Sequence, residues 1–196
     1  MVVIGLTGAS GSGKSFIAKR FQAYEIPIIN ADCIVHSIYR TENECTILLK
    51  HHFGDRIIRP DHSVNRQELG KIVFNDKEKL KLLNDIVHPF VIREIRINIE
   101  EHRKHAKAVL IDAPQLFEAG LEKDCDYVIA VIADDATRIQ RIAIRDHISE
   151  DVARQRLLNQ FSDEYFKERS DFYICNSLHD NIDEQISSIL TTIGYL

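Results

Sequence analysis

Three features of the chain predict an α/β protein with a five-stranded, doubly wound parallel sheet. Five short runs, 2–6, 26–29, 108–111, 127–133 and 172–175, are apolar throughout rather than alternating. Strands covered on both faces have that pattern. Helical patterns separate the runs, and such alternation builds layered α/β folds. The first run leads directly into Gly8-Ala9-Ser10-Gly11-Ser12-Gly13-Lys14-Ser15, which fits the phosphate-loop pattern G-x-x-x-x-G-K-[S/T] between a strand and a helix.

The elements follow in order. The glycines let successive N–H groups of the loop converge on an anion, and the helix start adds unpaired N–H groups. Lys14 can reach the outer phosphates of a nucleotide, and the Ser15 hydroxyl can hold Mg²⁺. The second strand closes at Asn30-Ala31-Asp32. The segment 32–107 is far longer than a crossover needs and reads as a helical insertion with room for a second substrate. In it, Val91, Ile95 and Ile99 recur every four residues among charged ones, the spacing of an amphipathic helix. Pro89, after His88, is expected to start that helix at its first turn. The third strand closes at Asp112. After the fourth, Arg138, Arg141 and Arg145 share one helical face within a lid at 135–170. A final helix carries Ile182, Ile186, Ile189 and Ile193 on one side. The core is expected at 1–31, 108–134 and 171–196. Gly8, Asn30 to Asp32 and Asp112 all follow strand ends, where open sheets bind ligands.

Composition narrows the class. The 196 residues are 44% hydrophobic and 28% charged, with a net charge of -5, which argues against nucleic acid as the main partner. Cys33, Cys45, Cys125 and Cys175 form no CxxC pair and suit a reducing cytoplasm. The nine histidines show no metal-ligand spacing. No apolar run reaches membrane-spanning length, and no signal peptide precedes the first strand, so no membrane partner is expected.

Phosphoryl transfer to an alcohol is helped by a carboxylate at the acceptor and by positive charge around the moving group. Asp32 can accept the proton, or it can cap a helix. Asp112 can belong to the metal shell, or it can cap or pair with a cation. The arginines can clamp phosphates bidentately, or they can form a solvated helical face. His88 can bond a substrate group or merely punctuate the helix. An N-K-x-D guanine-reading element is absent, which excludes a typical GTP switch. A nucleoside monophosphate kinase would need little base at its acceptor.

The ordered set resembles the dephospho-CoA kinase family over nearly the whole chain. Leu6-Thr7-Gly8 through Ser15 is similar to its opening. Asn30-Ala31-Asp32-Cys33-Ile34-Val35-His36 resembles D-A-D-x-I-x-H, with Asn30 in place of the first Asp. Leu83-Asn84-Asp85-Ile86-Val87-His88-Pro89 resembles L-N-x-I-x-H-P, and Asp112-Ala113-Pro114-Gln115-Leu116-Phe117-Glu118 resembles D-x-P-L-L-F-E. Arg141, Arg145-Asp146, Arg156 and Gln160 look like its lid. Ser170 to Asn176 resembles its adenine-side A-D-F-V-I-D-N, with Cys175 for Asp; Leu178 stands where Gly is usual. The resemblance implies ATP-dependent phosphorylation of the ribose 3′-hydroxyl of dephospho-CoA; the protein is expected to be cytoplasmic and a monomer, with a weak oligomer as the alternative. It implies Asp32 as base, with Lys14 and Arg141 acting on the phosphates. Gly11, Ser12, Gly13, Lys14, Ser15, Phe16, Arg141, Arg145 and Asn176 would bind ATP, and Ser15 would bind Mg²⁺. Asp32, Leu83, His88, Pro89 and Asp112 would meet the acceptor.

Overall fold

A computed structural model describes residues 1–74, 76–158 and 160–196. The strands are β1 (Val2–Thr7), β2 (Ile28–Asn30), β3 (Ala108–Asp112), β4 (Tyr127–Ile132) and β5 (Phe172–Cys175). They form one sheet in the order β2-β3-β1-β4-β5, and β1 pairs in parallel with β3 and β4, as β4 does with β5. The expected five-stranded parallel sheet is therefore present. The helices are α1 (Lys14–Phe21), α2 (Ala31–Ile38), α3 (Glu44–Phe53), α4 (Arg66–Val73), α5 (Lys77–His102), α6 (Asp135–Asp146), α7 (Glu150–Leu158), α8 (Asp163–Arg169) and α9 (Ile182–Thr192). No helix among the described residues is long and apolar enough to cross a membrane.

The chain divides into two compact units, Met1–Ile29 with Ile99–Leu196, and Asn30–Asn98. Segment 135–170 belongs to the first. In that unit one core gathers Ile4 and Leu6 of β1, Ile17 and Phe21 of α1, Leu110 of β3, Ile129 of β4, Ile174 of β5 and Ile186 and Leu190 of α9. The period-2 pleat sends Ile4 and Leu6 to this face and leaves Gly5 on the other. There a Cβ on Gly5 would lie 2.7 Å from Leu116 and 2.8 Å from Cys125. In the second unit Tyr39, Cys45, Leu49, Ile57, Leu69, Val73, Val87, Val91 and Ile95 are buried.

Short polar side chains start most helices. Asn30 accepts from Cys33 N, Asn43 from Thr46 N in a capping box, Asn65 from Glu68 N, Asp134 from Thr137 N, Ser162 from Tyr165 N and Asn181 from Glu184 N. Such caps satisfy N–H groups that a helix cannot pair internally. The helix holding His88 and Pro89 departs from expectation. α5 begins at Lys77, where Asp76 accepts from Glu78 N and Lys79 N, both at 3.1 Å. Pro89 lies inside it, so it starts nothing. It has no N–H to donate to Asp85, and its ring crowds that carbonyl, so it costs the helix a bond instead of starting it.

Candidate functional site

The phosphate loop is shaped by glycines that no other residue could replace without strain. Gly11 and Gly13 have φ of +80° and +86°. A Cβ on Gly11 would meet the Arg138 carbonyl at 2.7 Å, and one on Gly13 would collide with the Asn176 amide. These residues therefore combine the left-handed region with close approach. Gly13 is also the N-cap of α1 and supplies no side-chain cap. α1 thus keeps its first amides unpaired, unlike the capped helices above.

The loop's carbonyls are held from behind. Asn176, buried just past β5, donates from Nδ2 to the Ser12 carbonyl at 2.7 Å. Arg141 Nη1 donates to the carbonyls of Gly11 and Ser12 at 3.3 and 3.2 Å. Arg138 Nε reaches the Ser10 carbonyl at 3.3 Å, and Arg145 Nη2 reaches Ser10 Oγ at 3.2 Å. In a planar trans peptide the N–H points opposite to the preceding carbonyl. Fixing the carbonyls of Ser10 and Ser12 therefore turns the N–H groups of Gly11 and Gly13 the other way. Among the described residues, the N–H groups of Gly11, Gly13, Lys14 and Ser15 have no acceptor. The Ser12 hydroxyl is buried without a partner. Four aligned donors at an open helix start form an anion cradle.

Lys14 pairs with the buried carboxylate of Asp112 at the end of β3. Ser15 and Phe16 are exposed, and Arg20 lies over the Phe16 ring. Beside the loop, a cavity of about 500 Å³ is lined by Gly8, Ser10, Pro114, Glu118, Gln160 and Phe161 among others. The Gln160 side chain accepts from Ser10 N at 2.9 Å.

α6, which carries the arginines, is not a merely solvated face. Arg138 is 3% exposed and lies 3.3 Å from Asp163 and 3.5 Å from Asp135. Burial raises the Asp163 carboxyl although Arg138 opposes the shift. Asp146 binds both Arg145 and Arg156, at 2.8 and 2.6 Å, and these bonds, that to Arg145 foremost, hold its carboxyl below the usual range. The Asp134 cap of α6 is held at about 2, chiefly by the Thr137 backbone bond.

The first unit thus brings Gly11 to Lys14, Asp112, Arg141, Arg145 and Asn176 to one loop. In the second unit, Asp32 sits exposed in the first turn of α2. It is not the cap, because Asn30 caps that helix. Leu83 and His88 are half-buried and Pro89 exposed, all on α5. Sequence reasoning missed the bond between Arg66 Nη1 and His36 Nδ1, at 3.2 Å. The only available signal was that His36 follows Asp32 by one helical turn.

The dephospho-CoA kinase family profile matches residues 2–181. A dephospho-CoA kinase of Lactobacillus johnsonii is 35% identical over 193 residues, covering 97% of this chain and 98% of that protein. A solved structure of a Thermus thermophilus protein aligns with TM-score 0.80 and 26% identity, covering 98% and 97% of the two chains. The solved dephospho-CoA kinase from Campylobacter jejuni aligns with TM-score 0.72 and 25% identity, covering 97% and 96%.

Proposed function

The chain belongs to the dephospho-CoA kinase family, and from that premise we propose which of its residues perform the transfer. The enzyme phosphorylates dephospho-CoA to coenzyme A, and as a phosphate-loop kinase it uses ATP. The observation carrying the proposal is the start of α1, which keeps its amides unpaired while each of the eight other helices has a side chain accepting from a first-turn amide.

In this reading the amides of Gly11 to Ser15 bind the β- and γ-phosphates of ATP, with Phe16 following them. Lys14 exchanges its Asp112 partner for the γ-phosphate and follows the charge as it moves. Arg141 and Arg145 add a clamp from α6, and Asn176 keeps Gly13 and Ser12 in shape. Asp32 takes the proton of the ribose 3′-hydroxyl while that oxygen bonds the γ-phosphorus. The bond from phosphorus to the β-phosphate oxygen breaks, and ADP leaves. Asp32 suits the task because Asn30 has already capped its helix and its carboxylate is exposed. Leu83, His88, Pro89 and Asp112 complete the acceptor contacts. The Ser15 hydroxyl would hold Mg²⁺, with Asp32 or Asp112 acting through water; such oxygen donors suit that ion, which would supply charge neutralisation. All four cysteines are free, which supports a reducing cytoplasm.

The test is ADP release with dephospho-CoA, AMP, GMP and dTMP offered side by side. Transfer to dephospho-CoA alone is expected, and Asp32→Asn should lower kcat by about a hundredfold while ATP affinity stays. Phosphorylation of a mononucleotide but not dephospho-CoA would overturn the acceptor. Near-normal turnover in Asp32→Asn would remove that residue as base.

A further inference from the structure

We infer that Arg66 binds the 5′-diphosphate of dephospho-CoA and so makes the enzyme select its acceptor; this rests on the acceptor reading above. Arg66 is the exposed first residue of α4. Its Nη1 lies 3.2 Å from His36 Nδ1. A guanidinium can only donate, so His36 Nδ1 accepts in this bond. Among the described residues no carboxylate lies within ion-pair distance of Arg66. Its positive charge is therefore uncompensated.

Local folding does not ask for that charge. A cation in the first turn of a helix opposes the helix dipole, which favours acids there. Its position is informative instead. His36 follows Asp32 by four residues on α2, so the two share one face. By bonding His36, Arg66 carries its fork to the face that bears the base. Dephospho-CoA has the matching chemistry, because the ribose that offers the 3′-hydroxyl also carries a 5′-diphosphate a few bonds away. A planar guanidinium binds phosphate oxygens in pairs. A group at this point would hold the sugar by its charged substituent and present the hydroxyl to Asp32.

The experiment compares the wild-type protein with Arg66→Met and Arg66→Lys. Dephospho-CoA and adenosine are the two acceptors, since adenosine has the same hydroxyl without the diphosphate. Adenosine is read as an acceptor or, where its turnover is slow, as a competitor of dephospho-CoA. Arg66→Met should raise KM for dephospho-CoA about thirtyfold, the loss of one charged phosphate contact. The constants for ATP and adenosine should stay unchanged. Arg66→Lys, which keeps the charge, should give a smaller rise confined to dephospho-CoA, and it decides the matter should Arg66→Met not fold. Equal losses for both acceptors, or a raised KM for ATP, would mean a structural role and overturn the inference. A wild-type protein that leaves dephospho-CoA untouched overturns the acceptor reading and this inference together. An active wild type with unchanged selectivity in Arg66→Lys overturns the Arg66 assignment alone.

Discussion

Removing Asn176 and Arg141 together should cost more stability than the two single substitutions added. Both side chains donate to the Ser12 carbonyl, at 2.7 Å and 3.2 Å. Ser12 is 1% exposed, so water offers that carbonyl little replacement. Asn176→Ala removes one neutral hydrogen bond, worth about 1 kcal/mol net. Arg141→Ala removes a charged donor at two longer contacts, and about 1.5 kcal/mol is expected. In each single variant the carbonyl keeps one donor. In the double variant it keeps neither, and an unsatisfied buried carbonyl adds about 1–3 kcal/mol. The total should therefore approach 4 kcal/mol, with a coupling of about 1.5 kcal/mol. Urea unfolding of all four proteins measures the cycle, and ATP affinity should fall in the same order because the loop loses its backing. Additivity within about 0.5 kcal/mol would refute the idea that the two residues share one acceptor.

Gly11→Ala should destabilise the fold by about 2–4 kcal/mol and abolish ATP binding, since left-handed backbone strain adds to a 2.7 Å contact with the Arg138 carbonyl; a melting curve and a binding titration read both. Burial pushes the Cys125 thiol up to about 12 and the Cys45 thiol up to about 11, whereas Cys33 is exposed. Mass spectrometry after native alkylation near pH 8 should therefore find Cys33 modified first and the other two protected, until denaturant is added. Because these native thiols keep their protons above the ordinary thiol value of 9.0, the unfolded chain binds fewer protons there. Stability should thus fall as pH rises from 9 toward the native values. The Asp134 carboxyl, held at about 2 against an ordinary 3.8, has the opposite sign. Its contribution is present above pH 4 and fades toward pH 2, so Asp134→Ala should lower the melting temperature at pH 7 and change it less at pH 2.5.

The parts of the site that were legible are those encoded by neighbours. The β1 strand, the Gly11 and Gly13 turn and the Lys14-Ser15 helix start lie within a few residues, and the backbone freedom of glycine is a local property. Asp32 was legible as a carboxylate after a strand, although its role as a cap was not excluded until Asn30 was seen to fill that position. The start of α5 was misread because a proline is a strong helix-start signal. The weaker signal, Asp76, governs the start, and a long helix tolerates one missing bond at Pro89. His36 and Arg66, 30 residues apart, gave no pairing signal at all.

By itself, then, the order of residues determined that this protein has an anion cradle at the head of a parallel α/β sheet, because glycine conformations, strand burial and helix periodicity act over short stretches. Tertiary structure alone decided what holds the cradle in shape. Arg138 and Asn176 reach it across 128 and 164 residues of chain. Only the parallel pairing of β1 with β4, and of β4 with β5, carries their elements to the same sheet edge. A solvated helical face and one whose arginines brace a loop have the same spacing in sequence, and packing is what separates them.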